Sequence, residues 1–580
     1  MSPTFAPSPW LYSRLALGYD TSTFELSEQV RPGLHRWSPD DLKATLAARA
    51  AWEKAQRELH VYYYRINHRM AFPLPLASRP NAMPAGIPQL KWYPWLIWLA
   101  WALEERWGTL HCAWRHLGDD EAGWLLQTEL AALDGWYSFR NWNNEVGLPT
   151  GHLAGCLARF LANGEAWDAG LWQRAFGAAL RLVEHDVWPW FQTAWQEPRP
   201  LAPHDIHNIP VIALVRGAQL ARFVDSPHVD AAVMEARAQD ALRAWWRYRR
   251  DPAAPHTEGV SYDGFLMDSF TDWLDGLPER DALLAEGRDA FAGLIRQWVY
   301  STLPGRPDLH APLGDVEGEM PFWISCILRL AGWYGPDADF DVGLWLVQRM
   351  DPVRLPAAAL TWALDHAPAA TVDAAPPAAV PQEVANAAVL RTGWDSADLL
   401  ALVGMSRSAM SHLHNDGGQL ILGWHNRFWI TDPGYQQYRP GEERDFSMGV
   451  AAHNAPMIGG IAQSRRDLRC LHLQGDGHGR QHVALDLTGC YEGLPPGAHV
   501  RRDVWLIPPD AEGAPLVIVR DTLAGIAPGT EIRTHWQGGA QLAWAFVGGW
   551  ARLSDGQRAL WVGAWPAHEG PAGMERAISA

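Results

Sequence analysis

The chain has 580 residues, of which 48% are hydrophobic and 19% are charged, and its formal net charge is −17. This length is too great for one ordinary hydrophobic core and the composition excludes a disordered chain, so we predict two globular domains. The acidic charge and the lack of a long run of Lys or Arg argue against nucleic acid as a partner, because phosphate contacts need a basic surface.

The first residues, MSPTFAPSPWLYSRLALGYD, lack the basic start and the apolar stretch of a signal peptide. We therefore expect a cytoplasmic protein, or a secreted or periplasmic one whose leader has been removed. The most apolar stretch, residues 93–103, is too short to cross a bilayer, so no membrane partner is expected. The five cysteines are widely scattered, which favours buried free thiols over disulfides.

Residues 38–366 show apolar side chains at helical spacing. Roughly a dozen segments carry apolar residues at i, i+3, i+4 and i+7. Two of them are DLKATLAARAAWEKAQREL and WQRAFGAALRLVEHDVWPWF. So many amphipathic helices in succession predict stacked helical hairpins, arranged as a solenoid or a closed toroid.

The composition changes at residues 366–383, HAPAATVDAAPPAAVPQE, which is typical of a linker. Beyond it the apolar period becomes two, in short segments such as DLLALVG, GQLILGW, RFWIT and PLVIVRD. Turn residues separate these segments, which predicts an antiparallel β-sandwich. The predicted fold is thus an α+β multidomain protein, with an α/α toroid in residues 1–380 and a β-sandwich in residues 381–580.

Four polar stretches lie in predicted loops. The first three are NWNNEVGLP (141–149), HDIHNIP (204–210) and HTEGVSYDG (256–264). The fourth is SHLHNDGG (411–418), together with Asp432 and residues 444–454. Each stretch alone is also explained by helix caps and turns. Loops at one end of a toroid line a cleft, however, so their co-occurrence favours a site there.

Tryptophan is unusually abundant, with 34 residues. Most of these rings are expected to pack between helices. A flat ring at the edge of a cleft can also stack on the apolar C–H face of a sugar, so the surplus favours a carbohydrate ligand.

The polar stretches resemble those of known lyases. The NW…EVGLP stretch from Asn141 resembles a loop of the hyaluronate and chondroitin lyases with an α/α toroid. HTEGVSYDGF, residues 256–265, resembles the loop with the catalytic tyrosine in those enzymes and in the heparinase II/III family. The His-x-His-x-Asp-Gly stretch from His412, followed by Asp-Pro-Gly, Arg…Phe-Ser and Ala-His-Asn, is similar to the start of the heparinase II/III β domain.

This resemblance implies a polysaccharide lyase, which cleaves next to a uronic acid by β-elimination and leaves a 4,5-unsaturated uronate. The sugar carboxylate must be neutralised so that the developing enolate is stabilised. A base then takes the C5 proton and an acid protonates the leaving O4. Tyr262 matches the tyrosine position, and His412 matches the catalytic histidine. Asn208 and His207 match the neutralising position, and which of the two faces the carboxylate stays open.

The resemblance also implies a metal site and a substrate-binding set. His414, Asp432 and His453 match the zinc-binding positions, and two imidazoles, one carboxylate and a water suit tetrahedral zinc. We expect His414 to begin one strand and Asp432 to end the next, while Asp416 orients a ligand. A hydrogen-bonded cluster without metal is the alternative. The predicted substrate-binding residues are Asn141, Trp142, Glu145, Glu258 and Arg444.

Two other functions remain open. A glycoside hydrolase would need a pair of carboxylates, with Glu145, Glu258, Asp263 and Asp315 available. No such pair explains Tyr262 and the histidines. A non-catalytic glycan-binding protein would use tryptophans as its platform. The lyase interpretation predicts an acidic polysaccharide or oligosaccharide as partner, zinc as a structural cofactor in the β domain, and no organic cofactor.

Overall fold

The structure is a computed structural model. It describes residues 36–63, 68–80, 96–141, 144–162, 164–251, 255–315, 323–366, 372–408, 410, 412–434, 441–509, 513–539 and 542–564.

Helices dominate the first part of the described chain. They are α1 (Pro39–Ala55), α2 (Leu96–Leu117), α3 (Asp120–Ala132), α4 (Leu148–Leu161), α5 (Ala169–Arg181), α6 (Trp188–Ala194), α7 (Asn208–Val224), α8 (Ala231–Arg249), α9 (Val260–Asp275), α10 (Arg280–Tyr300), α11 (Trp323–Tyr334), α12 (Ala338–Val347) and α13 (Ala357–His366). Ser38 caps the first of them, since its side chain accepts from the backbone N–H of Asp41.

Six of these helices form an inner ring. Helix α2 contacts α4, α4 contacts α7, α7 contacts α9, α9 contacts α11, α11 contacts α13, and α13 returns to α2. The starts of α4, α7 and α9 lie together, since a Cβ on Gly147 would contact Ile209 and the Glu258 carboxylate binds Asn208. The loops before α4, α7 and α9 therefore lie at one end of the ring. The predicted α/α toroid is confirmed.

Glycines allow α4 and α7 to pack closely. A Cβ atom on Gly151 would lie 3.0 Å from the carbonyl oxygen of Ile212. A Cβ on Gly155 would lie 2.6 Å from Nη1 of Arg216. Larger residues at these positions would push the two helices apart, and α7 carries Asn208 at its start.

The helical region predicted for residues 38–366 also contains two short β-hairpins that the apolar pattern does not show, and one of its predicted helices includes a π-helical turn. The hairpins are β1 (Glu58–Tyr63) with β2 (His68–Pro73), and β3 (Thr302–Leu303) with β4 (Arg306–His310). The first contains the β-prone run HVYY, which overrides the helical pattern before it. Between α5 and α6 the chain forms a π-helix, Leu182–Val187, just before Pro189, which cannot donate a helical hydrogen bond.

The second part of the described chain is mainly antiparallel β structure. It contains β5 (Gln382–Val384), β6 (Ala387–Arg391), β7 (Leu399–Gly404), β8 (Leu420–Trp424), β9 (Arg427–Ile430), α14 (Glu442–Met448), β10 (Pro456–Ile458), β11 (Arg469–Gly475), β12 (Gln481–Asp486), β13 (His499–Ile507), β14 (Leu516–Ala524), β15 (Ile532–Thr534), β16 (Ala543–Val547), β17 (Trp550–Ser554) and β18 (Ala559–Val562). A five-stranded sheet has the order β5-β6-β7-β8-β9, and a four-stranded sheet has the order β11-β12-β13-β14. The predicted antiparallel β domain is confirmed.

The five-stranded sheet is buried on both faces. Val389, Leu400 and Ile421 belong to the core of the helical part. Their neighbours on the opposite face, such as Leu390 and Ala401, join the core of the β part. This explains why the sequences of these strands are continuous apolar runs. It also fixes the connection between β7 and β8 against the end of the toroid.

The described part of the predicted linker packs between the two parts. The carbonyl of Pro376 accepts from Nε1 of Trp394 at 2.7 Å, and the carbonyl of Pro377 accepts from the Tyr300 hydroxyl at 3.0 Å. We propose the domain boundary near residue 380, between α13 and β5. All five cysteines are free, as predicted. Among the described helices, none has the length and apolarity needed to cross a bilayer.

Candidate active site

The loop before α9 is ordered by one buried carboxylate. Oδ2 of Asp263 accepts from Nη1 of Arg249 at 2.9 Å, Oγ1 of Thr257 at 2.5 Å and Nε2 of Gln297 at 3.1 Å. Its Oδ1 accepts from the backbone N–H of Glu258 at 3.0 Å. Asp263 is therefore committed to the loop, and it holds Glu258 and the first turn of α9 in place.

Glu258 in turn fixes Asn208, the first residue of α7. Oε2 of Glu258 accepts from the backbone N–H of Asn208 at 2.9 Å, and Oε1 accepts from its Nδ2 at 3.0 Å. Both side chains are buried. Burial raises the pKa of Glu258 to about 7, against the lowering effect of His412. Glu258 thus positions the Asn208 amide.

The β part supplies His412 to this site. Its Nε2 lies 3.2 Å from Nδ2 of Asn208 and 3.7 Å from Oε1 of Glu258. Its ring stacks on Tyr262, in the first turn of α9, with ring centroids 3.6 Å apart and an interplanar angle of 4°. Three predicted catalytic side chains, from α7, α9 and the connection between β7 and β8, therefore meet at one point.

Asp315, just beyond β4, lies on the other side of His412. Its carboxylate is 3.3 Å from Nδ1 of His412 and 2.8 Å from Nε2 of His414. Arg444 binds both carboxylate oxygens, at 2.5 and 2.9 Å. Burial raises the pKa of Asp315, but the hydrogen bonds from these three side chains outweigh it and hold the pKa well below its ordinary range.

The predicted substrate-binding residues are placed differently from one another. Asn141 is buried. It lies near Ile209 in the first turn of α7, with Gly147 between the two: a Cβ on Gly147 would be 3.1 Å from Nδ2 of Asn141 and 3.7 Å from Cγ2 of Ile209. The side chain of Glu145 is exposed, and Arg444 is paired with Asp315. Trp142 lies outside the described residues.

His207 lies at the N-cap of α7 and is half-buried. Burial lowers the pKa of His207 to about 4, with further lowering by His412 and His256. Its imidazole is therefore neutral at pH 7.

His414, Asp432 and His453 are brought together in the β part. One potential ligand atom from each residue lies within 4.8 Å of the others, and all three side chains are buried. Nδ1 of His414 and Nε2 of His453 have no hydrogen-bond partner among the described residues. Two imidazole nitrogens without partners beside a carboxylate suit a bound cation, so the donor set fits a metal ion.

The expected strand positions of these ligands are wrong. His414 lies in a turn before β8, and Asp432 follows the end of β9. Two glycines, Gly417 and Gly418, separate the histidine turn from the strand. Asp416 is fully buried near the cluster, and neither of its carboxylate oxygens has a partner among the described residues. Two buried carboxylates beside two imidazoles again favour a cation.

Below the candidate catalytic side chains, α9 contributes Phe265 to an aromatic layer. His152 stacks on Phe265 with ring centroids 5.3 Å apart. Nε2 of His152 accepts from Nε1 of Trp101 at 3.0 Å, and its Nδ1 lies 2.5 Å from Oε2 of Glu104.

Below this aromatic layer lies a network of ion pairs. It joins three arginines to three carboxylates: Arg159, Arg216 and Arg329 to Glu104, Asp268 and Asp272. This balanced network fills the ring interior below the site.

Asp315 is the site residue whose role sequence reasoning missed, since it was considered only as a hydrolase carboxylate. It lies 97 residues from His412 in the chain. The one local signal is the preceding Gly314, which adopts φ +86°. A Cβ at that position would lie 2.5 Å from the carbonyl oxygen of His412.

Comparison with known proteins supports the resemblance. Residues 383–575 match the family described as heparinase II/III-like, C-terminal. A crystal structure of heparinase III is similar over 90% of this chain and 80% of its own, with 14% identity and a TM-score of 0.55. A second heparinase III covers 90% of this chain and 77% of its own, with 12% identity and a TM-score of 0.52. None of the curated proteins compared with this chain matches it.

The predicted heparinase II/III-like fold is therefore confirmed. The family match identifies the β part, and the two heparinase III structures show that the helical part and the β part share their fold. At these identities the likeness shows the fold alone.

Proposed function

We propose that the protein is a polysaccharide lyase that cleaves uronic-acid-containing polysaccharides or oligosaccharides by β-elimination and leaves 4,5-unsaturated uronate ends. The observation that carries this proposal is the meeting of Asn208, Tyr262 and His412. The His412 imidazole contacts both the Asn208 amide and the Tyr262 ring, on a heparinase III-like fold.

Asn208 is the proposed group that neutralises the uronate carboxylate. Glu258 accepts one hydrogen bond from the backbone N–H of Asn208 and one from its side-chain Nδ2, so the orientation of the amide is set before substrate binds. His207 is the second candidate. Its lowered pKa leaves it neutral at pH 7, so it would act as a hydrogen-bond donor like Asn208 and add no positive charge. One Nδ2 hydrogen is donated to Glu258, and the other, which faces Nε2 of His412, is the donor proposed to turn to the substrate carboxylate. A neutral amide stabilises the developing enolate without competing for the C5 proton.

Tyr262 and His412 are the proposed proton-transfer groups. One takes the C5 proton and one protonates the leaving O4. The ring of Tyr262 stacks on His412, whose Nε2 lies 3.2 Å from Nδ2 of Asn208. Glu145, Glu258, Asp263 and Asp315 favour a hydrolase less. The last three already accept several hydrogen bonds each, and Glu145 is exposed apart from them.

The activity test uses alginate, glucuronan, hyaluronan, chondroitin and heparan as substrates. Ultraviolet absorbance and reducing ends are measured together. A lyase raises both, because the unsaturated uronate is conjugated, whereas a hydrolase raises only reducing ends. A glycan-binding protein raises neither. The heparinase III likeness makes glycosaminoglycans the first polymers to test.

We expect kcat/KM of the native protein to rise with pH through about 7, the pKa of Glu258. Below that pH the neutral carboxyl accepts less well from Asn208, and above it the carboxylate accepts both N–H groups. Glu258→Gln should abolish this rise and lower kcat about tenfold or more.

The matched control is Glu53→Gln in α1. Burial also raises the pKa of Glu53 to about 7, but Glu53 pairs with Arg106 in the outer wall. Its variant should keep the native pH profile. If kcat/KM of the Glu258→Gln variant still rose near pH 7, the ionisation would belong to a different group.

We also propose that His414, Asp432 and His453 bind one zinc ion, which would act as a structural cross-link between their three segments. His453→Ala should then lose the metal. Bound zinc at a hundred times its Kd would add about 3 kcal/mol to the free energy of unfolding. Elemental analysis and the Tm with and without chelator measure both effects.

His482→Ala is the control for the metal site, because His482 lies in β12 and pairs with Asp503 instead. It should retain zinc and the response to chelator. Native protein with far less than one zinc per chain, and a Tm that chelator does not lower, would leave the three residues as a hydrogen-bonded cluster.

A further inference from the structure

One carboxylate of the helical part faces three side chains of the β part. Asp315 contacts Nδ1 of His412, Nε2 of His414 and both terminal nitrogens of Arg444. Its side chain is fully buried. The bidentate Arg444 pair keeps the carboxylate ionised, so both of its oxygens act only as acceptors.

The backbone at Asp315 also contacts the β part. The Asp315 N–H donates to the carbonyl of His412 at 2.7 Å. Gly314 permits this close approach because it has no Cβ to strike the same carbonyl. The carboxylate therefore keeps a fixed position relative to both histidines.

An acceptor-only carboxylate fixes which ring nitrogen carries the proton. Facing Asp315, His412 must carry hydrogen on Nδ1 and His414 must carry it on Nε2. In the neutral form of each ring the opposite nitrogen holds a lone pair. In His412 this is Nε2, which lies 3.2 Å from the Asn208 amide. In His414 it is Nδ1, which is buried and has no partner among the described residues.

We propose that Asp315 is a positioning residue that sets the tautomer of both histidines, presenting Nε2 of His412 to the catalytic side chains and Nδ1 of His414 to the metal-ligand cluster. One carboxylate of the helical part thereby prepares two sites of the β part. The consequence for turnover rests on the proposed lyase function, whereas the two tautomers and the metal affinity do not.

The chain offers a matched control in the strand that precedes Asp315. Asp308 in β4 is also buried, and it forms a bidentate pair with Arg306 at 2.9 and 2.6 Å. Asp308→Asn and Asp315→Asn each weaken one buried ion pair of the same kind. Among the described contacts of the two carboxylates, those of Asp315 include histidine rings, whereas the pair partner of Asp308 is Arg306.

The experiment records ¹⁵N imidazole spectra of histidine-labelled native protein after chelation. The signals are assigned by their loss in His412→Ala and His414→Ala. The expected result is a proton on Nδ1 of His412 and on Nε2 of His414. Asp315→Asn should lose both preferences, and Asp308→Asn should keep them. Zinc affinity should fall about 10- to 100-fold in Asp315→Asn alone.

Turnover gives the second readout. In Asp315→Asn kcat should fall at least about tenfold with KM nearly unchanged, while Asp308→Asn stays within about twofold of the native rate. The opposite tautomers in native protein would overturn the proposal even if Asp315→Asn fails to fold. Unchanged tautomers and zinc affinity in Asp315→Asn would also overturn it. If the native protein has the expected tautomers but cleaves no uronate polymer, the proposed lyase function is wrong and the positioning role of Asp315 stands.

Discussion

Tyr262→Phe is expected to lower kcat at least about a hundredfold while KM changes little. The substitution removes only the phenolic hydroxyl. The ring still stacks on His412, and the buried first turn of α9 keeps its packing. The loss should therefore fall on proton transfer rather than on binding. Ultraviolet absorbance of the unsaturated product measures the rate, and binding of the uncleaved polymer to the variant measures affinity.

Tyr334→Phe is the control for this loss. The Tyr334 hydroxyl donates to the carbonyl of Leu284 at 2.6 Å, where the end of α11 meets α10. Its removal takes away a tyrosine hydroxyl without touching the candidate site, so the rate should stay close to that of the native protein. A Tyr262→Phe variant that is nearly as fast as this control would remove Tyr262 from the chemistry.

Much of the fold was predictable because the apolar residues repeat with a clear period in both parts of the chain. Apolar spacing of 3.6 identified the helices, and the change to a period of two after residue 380 identified the β part. The hairpins β1–β2 and β3–β4 were missed because short strands inside a helical region carry little periodic signal of their own. Only packing against neighbouring elements decides them.

The candidate site was predictable where a motif is local. Asn208, Tyr262 and His412 each belong to a short stretch with a recognisable resemblance, and the structure brings these three together. Asp315 was not predictable in its role, because its partners lie about a hundred residues away on the other part of the chain. Local spacing contains no information about such a contact.

The arrangement makes the site a product of both parts of the chain. The helical part supplies Asn208, Glu258, Tyr262 and Asp315, and the β part supplies His412. The five-stranded sheet that is buried on both faces joins the two. Substitutions that weaken this shared core should therefore reduce activity before they unfold either part.

Asn208→Ala is expected to lower kcat about 10²- to 10³-fold on an acidic uronate polymer, the cost of removing one donor to a developing oxyanion. Asn208→Asp keeps the shape of the side chain but adds a negative charge next to the substrate carboxylate and to Glu258. Its loss should be at least as great. The Tm of each variant, measured alongside, separates misfolding from lost chemistry.

A methyl-esterified substrate gives the decisive comparison. Its uronate is already neutral, so the group that neutralises the carboxylate has less to contribute to the rate. The loss caused by Asn208→Ala should shrink by about tenfold or more on the ester. His207→Ala should show no such difference, because its neutral imidazole is not the assigned donor. If the ester and the acid were equally sensitive to Asn208→Ala, Asn208 would only shape the start of α7. If His207→Ala alone showed the difference, the neutralising role would pass to His207.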